Sequence, residues 1–435
     1  MKIVHLIPGS GDTFYCENCL RDAGLLRALR AHGHDPVAVP MYLPLMIDRP
    51  EDLPGGAVFF GGVNVYLQQK LGLFRHTPRW LDRLFDSPRL LRWAARRAGM
   101  TSAKDLGRTT LSMLRGEHGR QRKELDRLVE HLRAEGAPDV VFLSNCLLVG
   151  LARRIRQDLG SAVVCALQDE DGFLDGIVEP YRRQAWEELS ARAGDVDTFI
   201  AVSDYYSEVM KRRLGLEAGR VRVVHSGVVP EEYEPAAGRP EPPAVGFLSR
   251  LCPEKGVEVL VEAFILLKAD DRFGEVKLRL AGGATAEDAP VLDRVRGRLA
   301  SSGVAGDTAF LPHLDAAGRR DFLRSLAVLS VPAPRGEAFG MYILEALACG
   351  IPVVQPAAGA FVELVRATGG GLLCAPDDPR DLAEKLGRLL ADASLAGALG
   401  AAGRKAVVEH FNVERMAREV ADVCRDVAPA RAGHG

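Results

Sequence analysis

The sequence predicts an α/β protein of two doubly wound, parallel-sheet domains, and three observations carry that reading. The chain opens with an apolar run from Lys2 to Ile7, a Pro-Gly-Ser-Gly turn, a helical run from Cys19 to His32 closed by Gly33, and a second strand from Pro36 to Val39. The same order restarts at Ala244, after a stretch from Glu231 to Pro243 rich in Pro, Glu and Gly that reads as a linker. At 435 residues the chain is too long for a single core.

Composition narrows the function classes. Apolar content of 47% and charged content of 26% describe an ordinary globular protein. A formal net charge of −2 supplies no global field for nucleic acid, which is not an expected partner. The apolar run Ile3 to Ile7 is too short for a signal peptide, and no run approaches the ~20 residues of a membrane span. The expected location is the cytoplasm. Eight scattered cysteines make no disulfide scaffold. Cys16 and Cys19 alone form a CxxC pair, which is either two packed thiols at a helix start or a metal or redox site.

In the first domain, Gly9-Ser10-Gly11 lacks the third glycine of a dinucleotide fingerprint, because position 14 is Phe. The second strand ends in Val39-Pro40-Met41, with no acidic residue for a ribose, so a nicotinamide cofactor is not expected. Residues 41 to 135 break the alternation. From Leu71 to Arg97, apolar residues such as Phe74, Trp80, Leu84 and Trp93 interleave with Arg75, Arg79, Arg83, Arg89 and Arg96 on amphipathic helices. This basic helical insertion, near 65–135, is either an acceptor platform and a peripheral contact for anionic lipid or glycan, or a helical cover with a solvated arginine face. In the lipid case the protein works at the inner membrane face. Asp139 to Leu143 is the next strand, followed by a helix from Leu147 to Leu159. Ala162 to Leu167 is another strand and ends in Gln168-Asp169-Glu170-Asp171, an acidic run of the kind that opens a helix. Thr198 to Val202 with Ser203 reads as a strand and a capped helix start, and the strand Val221 to Val224 leads to the linker.

In the second domain Ala244 to Ser249 is a strand, residues 250 to 256 its turn, and Val257 to Lys268 a helix. Lys277 to Leu280 and Thr308 to Leu311 are further strands, the latter followed by Pro312-His313-Leu314. The stretch VPAPRGEAFGMYILEALACGIPVVQ, Val331 to Gln355, reads as strand end, loop, helix and next strand. Glu337 sits in the loop, Gly340 opens the helix, and Gly350 with Pro352 stops it. The N–H groups near Phe339, Gly340 and Met341, with the helix dipole behind them, favour an anion, and a diphosphate is the natural guest. Glu345 lies eight residues beyond Glu337, about 12 Å at 1.5 Å per helical residue. That is roughly the reach from a sugar across a diphosphate to a ribose. Gly369 to Leu373 and Pro376 to Leu390 complete the fold, and Val407 to Val427 reads as a final helix.

The spacing Glu-x7-Glu inside E-A-F-G…E-A-L-A-C-G-I-P-V-V, with R-L-C-P-E-K-G at 250–256, resembles the donor-sugar signatures of the retaining GT-B glycosyltransferases. The match is nearest to the large GT4 family of glycogen-synthase-like and mannosyltransferase-like enzymes. It is strong from Ala244 to Leu390 and looser before. The resemblance implies the GT-B fold, two facing Rossmann-like domains with an interdomain cleft. The acceptor-side domain would cover 1–235, the nucleotide-sugar-binding domain 236–408, and a helix over 409–427 would return to the first. It implies that Glu337 contacts sugar hydroxyls, that Glu345 holds the ribose, and that Arg250 and Lys255 grip the diphosphate. Glu337, Arg250 and Lys255 form the expected catalytic set. His313 would flank the base, Phe339, Gly340 and Met341 would present the helix start, and the loop of Gly9, Ser10 and Gly11 would lie over the donor phosphates. Asp12, Tyr15, Gln168 and Asp169 are the expected sugar or acceptor contacts. Gln168 stands where the family usually has His; it can hydrogen-bond a hydroxyl but cannot act as a base.

The family also implies a nucleotide-sugar donor, retention of anomeric configuration, and a glycan, lipid or small-molecule acceptor. No nucleophilic carboxylate stands at the strand-end position, so the departing diphosphate is expected to take the acceptor proton. No divalent metal is expected, since the fixed cations and the helix start do its work, and no cofactor is expected. Two other readings stay open. A GT-B epimerase would convert a nucleotide sugar with no acceptor present, and a catalytically weak sugar-nucleotide-binding protein is suggested by Gln168.

Overall fold

The computed structural model describes residues 1–8, 17–41, 59–60, 103–236, 238–311 and 314–429, without the side chains of 17–20, 103–105 and 286. Gly9, Ser10, Gly11, Asp12, Tyr15, Cys16 and His313, and the arginine-rich stretch 71–97, lie outside the described residues. The chain divides into two compact units. One is built from the N-terminal strand, Asn18–His225 and the chain from Met416 onward, the other from Ser226–Arg415.

In the first unit β1 (Lys2–Ile7), α1 (Glu17–Ala31), β2 (Asp35–Pro40), α2 (Ala103–Leu114), α3 (Arg122–Ala134), β3 (Val140–Leu143), α4 (Ala152–Leu159), β4 (Ala162–Leu167), α5 (Glu170–Asp175), α6 (Tyr181–Arg192), β5 (Thr198–Ala201), α7 (Asp204–Leu214) and β6 (Val221–Val223) follow in order. The strands form one sheet in the order β2-β1-β3-β4-β5-β6. Pairing is parallel, with Ile3 opposite Val140 and Val140 opposite Ala162. A parallel strand covered on both faces must be apolar throughout, and AVVCAL of β4 is buried at every position. The predicted helix from Leu147 to Leu159 is shorter than expected. Asn145 caps a 3-10 segment over Cys146–Leu151 through the Leu147 N–H, and only then does α4 begin. Gly150, a poor α-helix former, sits in that segment. The described part of the basic insertion packs onto this unit. Glu117, between α2 and α3, pairs with Arg192 at 3.0 Å and Arg153 at 3.3 Å.

The second unit contains β7 (Ala244–Leu248), α8 (Val257–Lys268), β8 (Lys277–Ala281), α9 (Ala289–Ser301), β9 (Thr308–Leu311), α10 (Ala316–Arg324), β10 (Val328–Leu329), α11 (Met341–Ala348), β11 (Val353–Pro356), α12 (Phe361–Thr368), β12 (Gly371–Cys374), α13 (Pro379–Ala391) and α14 (Ala393–His410). The parallel sheet runs β12-β11-β10-β7-β8-β9. From β7 the chain winds one way through β8 and β9, then returns to β10 and winds the other way. Such a reversal leaves a crevice beyond the strand C-termini, between β7 and β10 here. Every residue of α11 is buried. Its sequence MYILEALA is apolar all round apart from Glu345, and a helix of that kind belongs inside a protein. The predicted last helix, Val407 to Val427, is two helices. α14 ends at His410 and α15 (Val413–Val427) starts afresh, because Asn412 caps it by accepting the Arg415 N–H at 2.8 Å. Among the described residues no helix is long and apolar enough to cross a membrane.

Candidate functional site

Two loops converge at the reversal point of the second unit. The first follows β7 and carries Arg250 and Lys255 into α8. Gly256 closes it at φ +76°, and a Cβ there would lie 2.0 Å from the Pro332 carbonyl oxygen. Only glycine lets this loop lie against the segment that follows β10. The contact sets Lys255 beside the second loop, with Nζ 2.8 Å from Glu337 Oε1. Tyr342 Oη donates to the same oxygen at 2.9 Å. The Glu337 side chain is 6% exposed and that of Lys255 22%, so each charge depends on the other for its place out of water. The Ala360 N–H pins the Glu337 carbonyl at 3.0 Å. Gly340, at φ +97°, then starts α11 and has no side chain with which to cap it. Phe339 and Met341 on either side are buried, so backbone rather than side chain is what this helix start can offer a ligand.

Arg250 lies on the first loop, but its partner comes from the turn after β8. The Asp288 carboxylate accepts from Arg250 Nε at 2.9 Å and Nη2 at 2.8 Å. The same carboxylate accepts the Thr285 N–H at 2.7 Å and hydroxyl at 2.8 Å. Burial pushes the Asp288 carboxyl up, yet the bonds from Arg250 and Thr285 outweigh it and hold the group below the usual carboxylate range. The bonds that Arg250 donates to Asp288 raise the guanidinium pKa. Arg250 keeps 43% of its side chain exposed, against 5% for Asp288.

Glu345 points into the unit. Its Oε1 accepts from Tyr233 Oη at 2.5 Å and from Arg319 Nε of α10 at 3.2 Å, and the carboxylate side chain is 1% exposed. Burial, with the Glu345 charge added, lifts the Tyr233 hydroxyl well above its ordinary pKa.

In the first unit, Gln168 follows β4 directly. It is buried, and its Nε2 donates to the Ser144 carbonyl beyond β3. Gln168 Oε1 and Ser144 Oγ carry no hydrogen bond among the described residues. Asp169 is exposed at φ +74°. The acidic run that follows is not a simple helix-start cluster. Glu170 turns inward at 4% exposure and accepts from the Cys146 N–H at 3.0 Å, the Gln168 N–H at 2.6 Å and Tyr206 Oη at 3.1 Å. Burial raises its carboxyl above the usual range despite these bonds. It ties the ends of β3 and β4 to α7.

Of the expected site residues, the structure joins Lys255 to Glu337 and sets Gly340 three residues on. Arg250 and Glu345 belong to the same unit but are held by partners of their own. Gln168 and Asp169 belong to the first unit. Asp288, Tyr342, Arg319 and Tyr233 are absent from the sequence reading. Only Tyr342, five residues after Glu337, was close enough in sequence to be found.

The family model described as "Glycosyl transferases group 1" matches residues 230–406, and "Glycosyltransferase Family 4" matches 107–232. A D-inositol 3-phosphate glycosyltransferase of Streptomyces bingchenggensis is 31% identical over 257 residues, covering 56% of this chain and 56% of that protein. A Nocardioides protein of the same name is 29% identical over 324 residues, covering 68% and 70%. The chain thus spans a little over half the length of the first of these relatives. Among solved structures, sucrose-phosphate synthase from Thermosynechococcus elongatus superimposes with a TM-score of 0.68 at 20% identity over 98% of both chains. Anabaena HepE in complex with UDP and glucose gives 0.69 at 17% identity, over 98% of this chain and 99% of that one. These likenesses concern the fold.

Proposed function

The chain belongs to the group 1, GT4-type glycosyltransferases and has the GT-B fold, and we propose that it transfers a sugar from a nucleoside-diphosphate donor to an acceptor hydroxyl. The observation that carries this is the Lys255–Glu337 pair at the reversal point of the second sheet. An acceptor for sugar hydroxyls and a cation for phosphate stand together there, next to a helix start.

In the proposed reaction the bond between the anomeric carbon and the diphosphate oxygen breaks, and the acceptor oxygen bonds to that carbon on the same face. The departing diphosphate takes the acceptor proton. Arg250, Lys255 and the amides near Gly340 stabilise the negative charge that builds on the leaving group. Glu337 holds the sugar hydroxyls. Glu345, oriented by Arg319 and Tyr233, holds the ribose. Gln168 serves as a neutral hydrogen-bonding group, so no imidazole titration enters the pH profile from that position.

UDP-glucose is the first donor to test, because the structurally similar Anabaena HepE is solved in complex with it. D-inositol 3-phosphate is the first acceptor, because the curated relatives carry it in their name. Nucleotide release and product mass would be followed over UDP, GDP and ADP sugars. Glu337→Gln and Lys255→Met should each lower kcat at least ~100-fold. Undiminished turnover in either variant would remove the assignment. Conversion of the donor alone to an isomer would replace transfer by epimerisation.

A further inference from the structure

The proposed donor site uses Arg250, yet most of that guanidinium is already engaged. Asp288 occupies Nε and Nη2, and Nη2 also reaches Thr285 Oγ1 at 3.3 Å. Nη1 donates to nothing among the described residues. Asp288 itself cannot swing away. Its side chain is 5% exposed and anchored by the Thr285 N–H and hydroxyl. The two turns that carry the pair are locked by backbone bonds, Leu251 N–H to the Gly283 carbonyl at 3.0 Å and Ser249 N–H to the Ala281 carbonyl at 3.2 Å. An exposed arginine has many rotamers and loses that freedom on gripping a ligand. Here one edge of the fork is clamped in advance.

We propose that Asp288 is the positioning residue of the diphosphate subsite, holding the Nε–Nη2 edge of Arg250 so that the Nη1 edge is presented to the donor's diphosphate. This rests on the donor reading above. Two effects of Asp288 have opposite signs, and this makes the inference testable. As a bare negative charge it repels a diphosphate, so removing it should tighten binding. As an orienting partner it organises the cation in advance, so removing it should weaken binding. The anchored carboxylate and the two short bonds place orientation first.

Isothermal titration calorimetry of the full chain with UDP, GDP and ADP selects the tightest nucleoside diphosphate. That probe is then titrated into Asp288→Asn, Arg250→Ala, Arg250→Lys and the double variant Arg250→Ala/Asp288→Asn. Asn keeps an acceptor for the Thr285 N–H. The expected result is a loss of about tenfold in Asp288→Asn, and a change of less than about twofold from the same substitution once Arg250 is gone. Arg250→Lys should lose about as much as Arg250→Ala, since an ammonium cannot be clamped by one edge and present another. Unchanged or tighter binding in Asp288→Asn overturns the proposal. So does an equal loss with and without Arg250, which would make Asp288 a support of the turn. Near-native binding by Arg250→Lys overturns it too, and that variant leaves the Thr285–Asp288 anchor intact if Asp288→Asn fails to fold. Failure of the unmodified chain to bind any of the three nucleotides would remove the donor reading itself. Native binding with an unaffected Asp288→Asn removes this inference alone.

Discussion

Glu345 and His5 each carry a titratable group into a unit's interior, and the surroundings treat them differently. Glu345 is given a cation. Arg319→Met would leave a buried carboxylate without its counter-charge, a loss of ~3–5 kcal/mol, while Tyr233→Phe removes one bond to a charged group, about 1.5–3 kcal/mol. Urea unfolding measures both, and a loss under about 1 kcal/mol in Arg319→Met would end the view that Arg319 sustains Glu345. His5, on β1, is 1% exposed with Nε2 3.6 Å from Asp22 Oδ2, and Arg21 bonds the other oxygen of Asp22 at 2.6 Å. Burial is the largest influence and lowers its pKa from 6.5 to about 4, with Asp22 opposing and Arg21 adding to the shift. The folded chain therefore refuses a proton that the unfolded chain accepts between those values. Stability is complete above pH 6.5 and declines as pH falls towards 4. The full difference is on the order of 3 kcal/mol. Thermal unfolding at pH 7 and pH 4.5 should show a larger drop for the native chain than for His5→Gln. Equal drops would clear His5 of the effect.

Among the elements, the turn from β7 to α8 depends on one backbone position. Gly256 allows both the positive φ and the approach to Pro332. Gly256→Ala would strain the turn by ~1–3 kcal/mol and force it off the β10 loop, parting Lys255 from Glu337. The expected outcome is a lower unfolding midpoint together with loss of nucleoside diphosphate binding. A variant that is destabilised but binds normally would show that the Lys255–Glu337 contact does not depend on this approach. The same element carries Arg250, so the turn delivers two cations from one strand end, and the loop after β10 delivers the carboxylate and the helix start. Doubly wound sheets favour this arrangement because their loops gather where the strand order reverses.

Across the whole molecule, the described residues proposed for the donor lie in one unit. Arg250, Lys255, Glu337, Gly340 and Glu345, with Asp288 and Arg319, fall within Ser226–Arg415, which holds a complete six-stranded sheet. That segment expressed alone should fold cooperatively and bind the preferred nucleoside diphosphate within about tenfold of the full chain, yet transfer no sugar. Calorimetry and circular dichroism would check both halves of this expectation. Absence of binding by a folded segment would mean that residues of the first unit contribute to holding the nucleotide.

The sequence by itself determined the strands and the local signatures. The runs Ala162–Leu167 and Val257–Lys268 form β4 and α8 over the expected residues, because a continuous apolar stretch or a helical stripe between Gly and Pro signals has few other ways to leave water. No helix was legible over Tyr181–Arg192 or Ala289–Ser301, where only three residues of each are buried and the rest meet solvent. Lys255 and Glu337 were legible as candidates because each sits in a short motif on one loop, but their ion pair was not. The tertiary structure alone decided who holds those residues in place. Asp288 meets Arg250 across 38 positions, Arg319 meets Glu345 across 26, and Tyr233 meets Glu345 across 112. Local spacing cannot encode such pairs. They exist because burying a charge is tolerable only beside a partner, and the sheet order determines which distant residue arrives there.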